Sequence, residues 1–315
     1  MNEGGPNGLL VVDKPGGPTS HDVVQSVRLA LGVKRVGHAG TLDPSATGVL
    51  LVAVGRATRL AAFLQNLPKV YRGRVQFGVT TNTQDADGET VEERPCGFSL
   101  QQLEETLEAF RGPILQTPPM VSALKVGGEA LYKAARRGEE VERKPRQIRI
   151  YELELENADL DNWQATIRVA CSSGTYIRTL AADIGDRLGC GAHIASLRRL
   201  SVGSFTEEHA VSLDALSSDP RSHLLPPVEA MRDFPKIVVD SEGMSAVSHG
   251  MSLEMGDDTR PGEISVSAIQ RSKDRPPHEA GMTAGIPVAV VGPEGNLLAV
   301  YRKTRGQLRP AAVLT

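Results

Sequence analysis

The stretch VGHAGTLDPSATGVLLVAV, residues 36–54, decides the fold. Its first part, residues 36–48, holds three glycines and an Asp-Pro step, which predicts an irregular, glycine-rich loop. Its second part, residues 49–54, is a continuous apolar run that suits a buried β-strand. Loops held between rigid elements often carry functional side chains, so we expect a site at this junction.

Elements of both kinds flank this stretch, which indicates an α+β fold. Upstream, residues 8–13 (GLLVVD) predict a short buried strand. Thr19 or Ser20 then caps a helix, which Gly32 ends. Downstream, residues 71–79 alternate between one face that is mainly apolar and one that carries Arg72, Arg74 and Gln76, as a half-buried strand does.

The pattern continues through the middle of the chain. A capping box at Ser99 predicts a helix, and residues 113–147 are expected to be irregular and basic. Strands are predicted at about 148–156 and 163–171, followed by a helix within residues 174–189.

The length of 315 residues predicts about two domains. Residues 216–235 are rich in Ser, Asp and Pro and are expected to form a connector. We therefore expect an α+β domain over residues 1–233 and a small β-rich module of short strands over 234–315. Within that module, residues 256–285 are polar and rich in Gly and Pro, which predicts a loop.

Composition excludes several classes of protein. With 40% hydrophobic and 23% charged residues, the chain is neither collagenous nor wholly disordered. No apolar run approaches the roughly 18 residues that a membrane span needs, and the N-terminal residues do not have the pattern of a secretion signal. The three cysteines, Cys96, Cys171 and Cys190, are too far apart for a metal knuckle. We expect a cytoplasmic protein without disulfides.

The net charge of −3 is unevenly distributed. Residues 85–108 carry a charge of −7, whereas residues 133–149 and 302–309 each carry +4. One local basic face is enough to bind a phosphate backbone. Solvated surface charges are the alternative interpretation of these segments.

Asp43 and Arg178 are the first candidates for chemistry. Pro44 favours an extended backbone at Asp43, although an ordinary Asp-Pro turn is the alternative. Arg178 lies in the first turn of a predicted helix, where anions are favoured, although a surface arginine is the alternative. If the two side chains met, the arginine could hold the carboxylate ionised and oriented.

Two of the five tyrosines, Tyr71 and Tyr176, lie beside basic residues. Aromatic rings interleaved with positive charge suit stacking on an unpaired nucleobase, and a core tyrosine is the alternative. His38 is a candidate base, wedge or turn residue.

Other motifs fail. The segment 85–89 has acids at alternate positions but lacks the distal glutamate of a calcium loop, and no metal site is expected. Ser20, His21 and Asp22 are neighbours only in sequence, which does not make a triad. The chain has no Walker loop and no dinucleotide fingerprint.

Four segments together resemble the bacterial tRNA pseudouridine-55 synthases, the TruB family. They are residues 14–24, 36–50, 69–89 and 171–200. The C-terminal hairpin and basic tail of residues 234–315 loosely resemble a PUA-type RNA-binding module. The resemblance implies a mixed, mainly antiparallel sheet flanked by helices, with the cleft across the sheet.

The resemblance also implies a reaction. Uridine in the T loop of tRNA is detached from its ribose, turned and rejoined through C5, with no metal or other cofactor. Asp43 matches the catalytic aspartate of the family and Arg178 the arginine that pairs with it. Tyr71 matches the tyrosine that stacks on the flipped uracil and lies near the C5 proton.

Four further positions match binding residues of the family. Tyr176 and Leu197 match residues that wall the pocket. His38 matches the residue that helps to occupy the place the base leaves, and Lys14 matches a lysine with a supporting role near the cleft.

The expected partner is the T arm of tRNA, with residues 133–149 along the arm as a thumb and residues 302–309 toward the acceptor stem. A tRNA-folding chaperone that only binds RNA is one alternative, and a guide-RNA-dependent synthase subunit is another. The acidic-then-basic insert over residues 85–149 is typical of the stand-alone form. We therefore expect a monomer with no obligatory protein partner.

Overall fold

The computed structural model describes residues 5–122, 124–131, 134, 137–139, 141–254, 285–304 and 307–314. Of the polar loop predicted over residues 256–285, all but the last residue lies outside the described residues. In the described part of the chain, no helix is both long enough and apolar enough to cross a membrane.

The described residues form the following strands, numbered in chain order: β1 Gly8–Lys14, β2 Val36–His38, β3 Thr47–Val54, β4 Lys69–Phe77, β5 Val79–Thr81, β6 Thr90–Glu93, β7 Gly112–Gln116, β8 Lys125–Val126, β9 Glu129–Ala130, β10 Arg146–Asp159, β11 Gln164–Cys171, β12 Ala192–Val202, β13 Phe205–Thr206, β14 Lys236–Val238, β15 Leu253–Glu254, β16 Pro287–Val291, β17 Leu297–Thr304 and β18 Gln307–Val313. The α-helices are α1 Ser20–Leu31, α2 Ala61–Gln65, α3 Leu100–Ala109, α4 Ile177–Arg187, α5 Leu213–Ser218 and α6 Ser241–Ser248. Short 3₁₀ helices span Gly55–Leu60, Glu207–His209 and Glu229–Met231.

One large sheet organises the first part of the chain, in the order β1-β3-β12-β4-β11-β10-β7. Strand β2 extends the pairing of β3, and β13 that of β12. Only β3 and β12 are parallel neighbours in this described sheet. The C-terminal strands form a second sheet in the order β14-β16-β17-β18-β15. The α+β class with a mixed, mainly antiparallel sheet and a β-rich C-terminal region is therefore confirmed.

The residues predicted to cap the first helix and α3 do so in the structure. Thr19 caps α1 in a reciprocal capping box with Asp22, and Gly32 ends the helix with φ 64°. Ser99 and Gln102 form the same kind of box at the start of α3. Each box satisfies the N–H of the cap residue and one of the N–H groups that the first turn of a helix leaves unpaired.

Three predictions of local structure were wrong. Residues 36–48 are not all loop, because β2 pairs with β3 over its three residues. Residues 113–147 are not all irregular, because β7 pairs with β10 and β8 with β9. The C-terminal region also holds the helix α6, capped by Asp240. Tertiary pairing stabilises the short strands, whose own sequences carry little signal.

The large sheet is covered on both faces at its β1–β3 end. One face packs with α1, α3 and α4 into one hydrophobic cluster. Alternate residues such as Leu51 point the other way, into a cluster shared with Val300 and Leu314 of the C-terminal region. Arg56 donates to the Leu314 carbonyl at 2.9 Å across the same contact. The predicted boundary at residue 233 stays a prediction.

Candidate active site

Asp43 lies in the loop of residues 39–46, between β2 and β3, which we call the Asp43 loop. Side chains from neighbouring elements hold its backbone. The Ser20 hydroxyl donates to the Leu42 carbonyl and accepts from the Leu42 N–H, at 3.0 and 2.9 Å. The Lys14 ammonium donates to the carbonyls of Pro44 and Ala46 at 2.9 and 2.7 Å. A loop tied at this many points places its carboxylate in a defined position.

Arg178 meets Asp43 across 135 positions of sequence. Its Nε lies 2.9 Å from Asp43 Oδ2. The Arg178 side chain is 5% exposed and that of Asp43 is 38% exposed. The arginine is therefore fixed inside the protein, while its carboxylate partner is partly exposed to solvent, on the side where the cleft is expected. The predicted pair is present in the structure.

Arg178 also connects two further segments to this pair. Its guanidinium donates to the carbonyls of Thr83 and Val121 at 2.6 and 2.7 Å, and Nη1 lies 3.3 Å from Asp85 Oδ2. The planar fork of an arginine can satisfy several acceptors at once. The insert of residues 85–149 thus shares one cation with the catalytic candidate, through Asp85 and the Val121 carbonyl.

Asp85 is a residue beside the site that the sequence analysis did not identify. It stands at the head of the segment rejected above as a calcium loop, and its side chain is only 12% exposed. Its Oδ1 accepts from the Asp87 N–H at 3.2 Å, which fixes its own loop. The sequence carries no local signal for the contact, because 93 positions separate Asp85 from Arg178.

Tyr71 lies on β4, next to Val169 on β11 and Arg199 on β12. It is 8% exposed and belongs to the core on the active-site face. Burial raises the pKa of its phenol above 10.0, and the positive charge of Arg199 opposes that rise. The phenol therefore keeps its proton at neutral pH.

Leu197 and the start of α4 flank the same strand. A Cβ atom at Gly73, two residues from Tyr71, would lie 3.7 Å from Leu197 Cδ1 and 3.8 Å from Ile177 Cγ2. Leu197 therefore forms an apolar wall beside the residue that follows Tyr176.

Tyr176 precedes α4, and its backbone is held by Gln116. The Gln116 amide donates to the Tyr176 carbonyl at 3.0 Å and accepts from its N–H at 2.8 Å. Gln116 is 2% exposed. This buried side chain fixes the approach of the chain to α4, which carries Arg178.

His38 ends β2 and leads into the Asp43 loop. Its Nδ1 is buried and has no hydrogen-bond partner among the described residues. Burial lowers the pKa of this imidazole, and the charge of Arg199 lowers it further. His38 is therefore neutral at pH 7 and available to contact an uncharged group.

Burial also shifts the titration of the two charged groups nearest the loop tip. Desolvation raises the pKa of the Asp43 carboxyl above 3.8, while Arg178 acts in the opposite direction. Desolvation lowers the pKa of Lys14 to about 8, although Asp43 opposes this shift. Perturbed titration in a cleft is typical of a functional site.

The described residues contain no group of three or more His, Cys, Asp or Glu side chains that could hold a metal ion. The side chains gathered at this site are a carboxylate, an arginine, a phenol and apolar groups. Such a set can bind a planar ring and act on a carbon centre beside it.

Two family models match consecutive parts of the chain. Residues 28–177 match the TruB family pseudouridylate synthase, N terminal domain. Residues 178–231 match the tRNA pseudouridylate synthase B C-terminal domain. The chain belongs to the TruB family. Asp43, Tyr71 and Arg178 all lie within the matched segments.

Relatives of this TruB chain match over most of its length. A tRNA pseudouridine synthase B from Syntrophotalea carbinolica is 46% identical over 250 residues, which cover 78% of this chain and 81% of the relative. One from Cupriavidus metallidurans is 41% identical over 308 residues, covering 96% of this chain and 93% of the relative. The second match covers nearly the whole length of both proteins.

Solved structures share the fold of this TruB chain. A structure of an H/ACA RNP bound to a substrate RNA containing 2′-deoxyuridine superposes with a TM-score of 0.72, at 24% identity, over 100% of this chain and 91% of that one. A Cbf5-Nop10-Gar1 complex gives a TM-score of 0.71 at 26% identity, over 98% of this chain and 85% of that one.

Proposed function

We propose that this chain is a tRNA pseudouridine synthase that isomerises uridine 55 in the T loop. The names of its relatives in the TruB family support the activity and the tRNA substrate. The single observation that carries the proposal is the pair of Asp43 and Arg178, which are joined at 2.9 Å while the Asp43 side chain stays 38% exposed.

Asp43 acts at the sugar of the target nucleotide. Its carboxylate either attacks C1′, as in retaining glycoside hydrolysis, or assists removal of the 2′ proton. Arg178 holds the carboxylate in place and favours its ionised form against desolvation. Because Arg178 is buried and fixed by the Thr83 and Val121 carbonyls, it gives Asp43 a rigid support.

The target base lies within a folded loop and must be flipped into the cleft. Tyr71 stacks on the uracil, and its protonated phenol lies near C5. Leu197 and Tyr176 wall the pocket, and neutral His38 occupies the place that the base leaves. These assignments combine the family resemblance with the positions of the side chains around β4.

The reaction is an isomerisation, and its atoms balance within the nucleotide. The bond between N1 and C1′ breaks, the base turns, and a bond between C5 and C1′ forms. C5 then loses its proton, and N1 carries one in the product. No oxidant, reductant or second substrate is needed, because the product has the same atoms as the substrate.

RNA contacts outside the cleft are proposed for the basic segments. In the thumb, Arg137 pairs with Glu129 and Glu139, both at 2.8 Å, whereas Lys133 and Arg136 lie outside the described residues. In the tail, the Arg302 guanidinium lies 5.3 Å from the centre of the Phe63 ring, and Arg305 is not described.

Charge reversal tests the proposed contact of the tail. Replacement of Arg302, Lys303, Arg305 and Arg309 by glutamate should weaken binding of full-length tRNA and reduce its dependence on salt. Because the T-arm hairpin lacks the acceptor stem, its affinity should hardly change. Equal tRNA affinity and an equal salt slope would remove the tail from the proposed interface.

The decisive experiment incubates the purified chain with an unmodified tRNA transcript and maps pseudouridine by chemical labelling. Wild type should modify position 55. Asp43→Asn should bind tRNA but lose turnover by a factor on the order of 10⁴. Asp87→Asn, an exposed acid of the insert, is the matched control and should react at the wild-type rate.

The same assay separates the alternative functions. Turnover of a bare T-arm hairpin without guide RNA or protein partner supports the stand-alone enzyme and contradicts a guide-dependent subunit. A chain that folds tRNA equally well before and after Asp43→Asn, with no pseudouridine in either sample, would be a chaperone. Gel filtration of the active sample tests the proposed monomer.

A further inference from the structure

Arg199 is a buried cation to which the proposed reaction gives no role. It is 1% exposed, although it carries a full positive charge. It lies on β12, where its backbone neighbours are Tyr71 on β4 and Gly48 on β3. Arg199 therefore lies between the stacking tyrosine and the strand into which the Asp43 loop leads.

The guanidinium of Arg199 ties the Asp43 loop to β3. Its Nε donates to the Val49 carbonyl at 2.7 Å. Nη2 donates to the Gly40 carbonyl at 3.1 Å, and Nη1 to that of Thr41 at 3.5 Å. Three nitrogens of one rigid plane thus fix the first residues of the loop against the strand that follows it.

The same side chain also lies against Tyr71. Its charge opposes the rise that burial causes in the pKa of the phenol. The backbone leaves little freedom for readjustment, because a Cβ atom at Gly48 would lie 2.2 Å from the Arg199 carbonyl oxygen. A charge buried in this way is costly unless its hydrogen bonds are satisfied, so its surroundings are tightly specified.

We propose that Arg199 is a positioning residue that holds the Asp43 loop at a fixed distance from Tyr71. It acts on the nucleotide only through these two groups. The inference rests on the proposed function, because the loop and the tyrosine must engage the sugar and the base of one nucleotide. Lysine keeps the charge but cannot bond three carbonyls in one plane.

The test compares Arg199→Lys with Arg198→Lys. Arg198 is the neighbouring residue, but its side chain lies on the opposite face and pairs with Asp13 and Glu207. In single-turnover assays on a T-arm hairpin, Arg199→Lys should be about 10- to 100-fold slower, because small displacements of reacting groups are costly. The RNA affinity of Arg199→Lys should stay within about twofold of wild type. The rate and the RNA affinity of Arg198→Lys should also stay within about twofold of wild type.

A double-mutant cycle distinguishes positioning from a general structural role. If Arg199 acts partly through the phenol, its replacement should cost at least about threefold less in a Tyr71→Phe background than in wild type. Circular dichroism melting confirms that each variant is folded. Effects that multiply fully, or a folded Arg199→Lys protein with the wild-type rate, would overturn the inference. Absence of turnover in wild type would instead overturn the proposed function.

A measurement on the native side chain covers the case in which Arg199→Lys does not fold. The Nε–H of Arg199 should give a slowly exchanging nitrogen-15 resonance, because it is buried and bonded to Val49. The Nε resonance of Arg178, the other buried arginine of the site, is identified by its absence from the spectrum of Arg178→Lys. Tyr71→Phe should shift the Arg199 resonance, and Tyr176→Phe should not. If the Arg199 resonance had the same chemical shift in Tyr71→Phe as in wild type, the proposal would be contradicted.

Discussion

Arginines on the two faces of the large sheet are bound in different ways. On the face away from the cleft, Arg72, Arg168 and Arg198 form a row across three neighbouring strands. Their side chains are 33% to 51% exposed, and each pairs with at least one carboxylate. On the cleft face, Arg178 and Arg199 are almost fully buried, and most of their hydrogen bonds go to backbone carbonyls.

The difference separates surface charge from site architecture. Exposed ion pairs contribute little to stability, because water and salt screen them. A buried guanidinium loses its hydration and must be satisfied by fixed acceptors. The cleft face therefore uses arginines to fix loops in space, whereas the opposite face uses them to keep an open sheet surface hydrated and neutralised.

The largest expected effect is the loss of rate in Arg178→Lys. Arg168→Lys is its control, because both arginines contact two carboxylates. Arg178 lies close to Asp43 and Asp85, and Arg168 to Glu152 and Glu154. Arg178→Lys should slow single-turnover isomerisation at least about 100-fold, because the buried fork is lost. Arg168→Lys should change the rate by less than about twofold. Equal losses in both variants would erase the contrast between the faces.

Glycine substitutions test how tightly the cleft side is packed. Gly48 has φ 101°, and a Cβ atom there would lie 2.2 Å from a backbone oxygen. Gly17 has φ 104° but nothing within 4 Å of such a Cβ atom. Gly17→Ala should lower the free energy of unfolding by about 1–3 kcal/mol from backbone strain alone.

Gly48→Ala should cost about 3 kcal/mol more than Gly17→Ala, because the steric overlap adds to the strain. Urea denaturation of both variants measures this difference. Equal losses of unfolding free energy in the two variants would show that the close contact between β3 and β12 does not constrain the backbone at Gly48.

The pH dependence of the rate should report the buried groups of the cleft. Activity should rise as Asp43 loses its proton, at a pH above the ordinary 3.8 because its pKa is raised. It should fall as the pH rises through about 8, where Lys14 loses the proton and charge with which it holds the loop. The loss between pH 7 and 9 should be about three- to tenfold.

Tyr71 gives the internal control for the alkaline limb. Its pKa lies above 10.0, so a limb caused by the phenol would begin well above that of Lys14. Single-turnover rates at saturating hairpin measure both limbs. A rate that stays constant from pH 7 to 9 would show that the charge on Lys14 does not hold the loop.

The smallest effect is expected on the exposed face. Arg72 donates to both carboxylate oxygens of Glu156, at 2.6 and 3.1 Å, and is 51% exposed. Arg72→Gln should change the free energy of unfolding by less than about 1 kcal/mol and leave the rate unchanged. Urea denaturation with and without 1 M salt checks this. A loss above about 2 kcal/mol would place this pair among the structural supports of the sheet.

Local signals predicted much of the secondary structure. The caps at Thr19 and Ser99 form as predicted because they join groups three residues apart. The alternation around Tyr71 was correct as far as Phe77, where Gly78, with φ 86°, ends the strand. The strand β2 was missed, since three residues carry no periodicity and become a strand only by pairing with β3.

The candidate site was predicted only in part. Asp43, Tyr71 and Arg178 were named from their surroundings in sequence and from the family resemblance. Asp85 and Arg199 were not named as site residues. Asp85 begins a segment that resembles an incomplete calcium loop, and Arg199 is the second of two consecutive arginines. Nothing within a few residues of either shows that it would be buried beside the cleft.

Sequence alone determined where helices begin, which strand faces are apolar, and which side chains are available for chemistry. These features depend on interactions within a few residues. The tertiary structure decided that Asp43 meets Arg178, and that Arg199 lies on the same face of the sheet as Tyr71 while Arg198 lies on the other face. Such contacts depend on the order and register of strands far apart in the chain, which are set by hydrogen bonds and packing across the whole sheet.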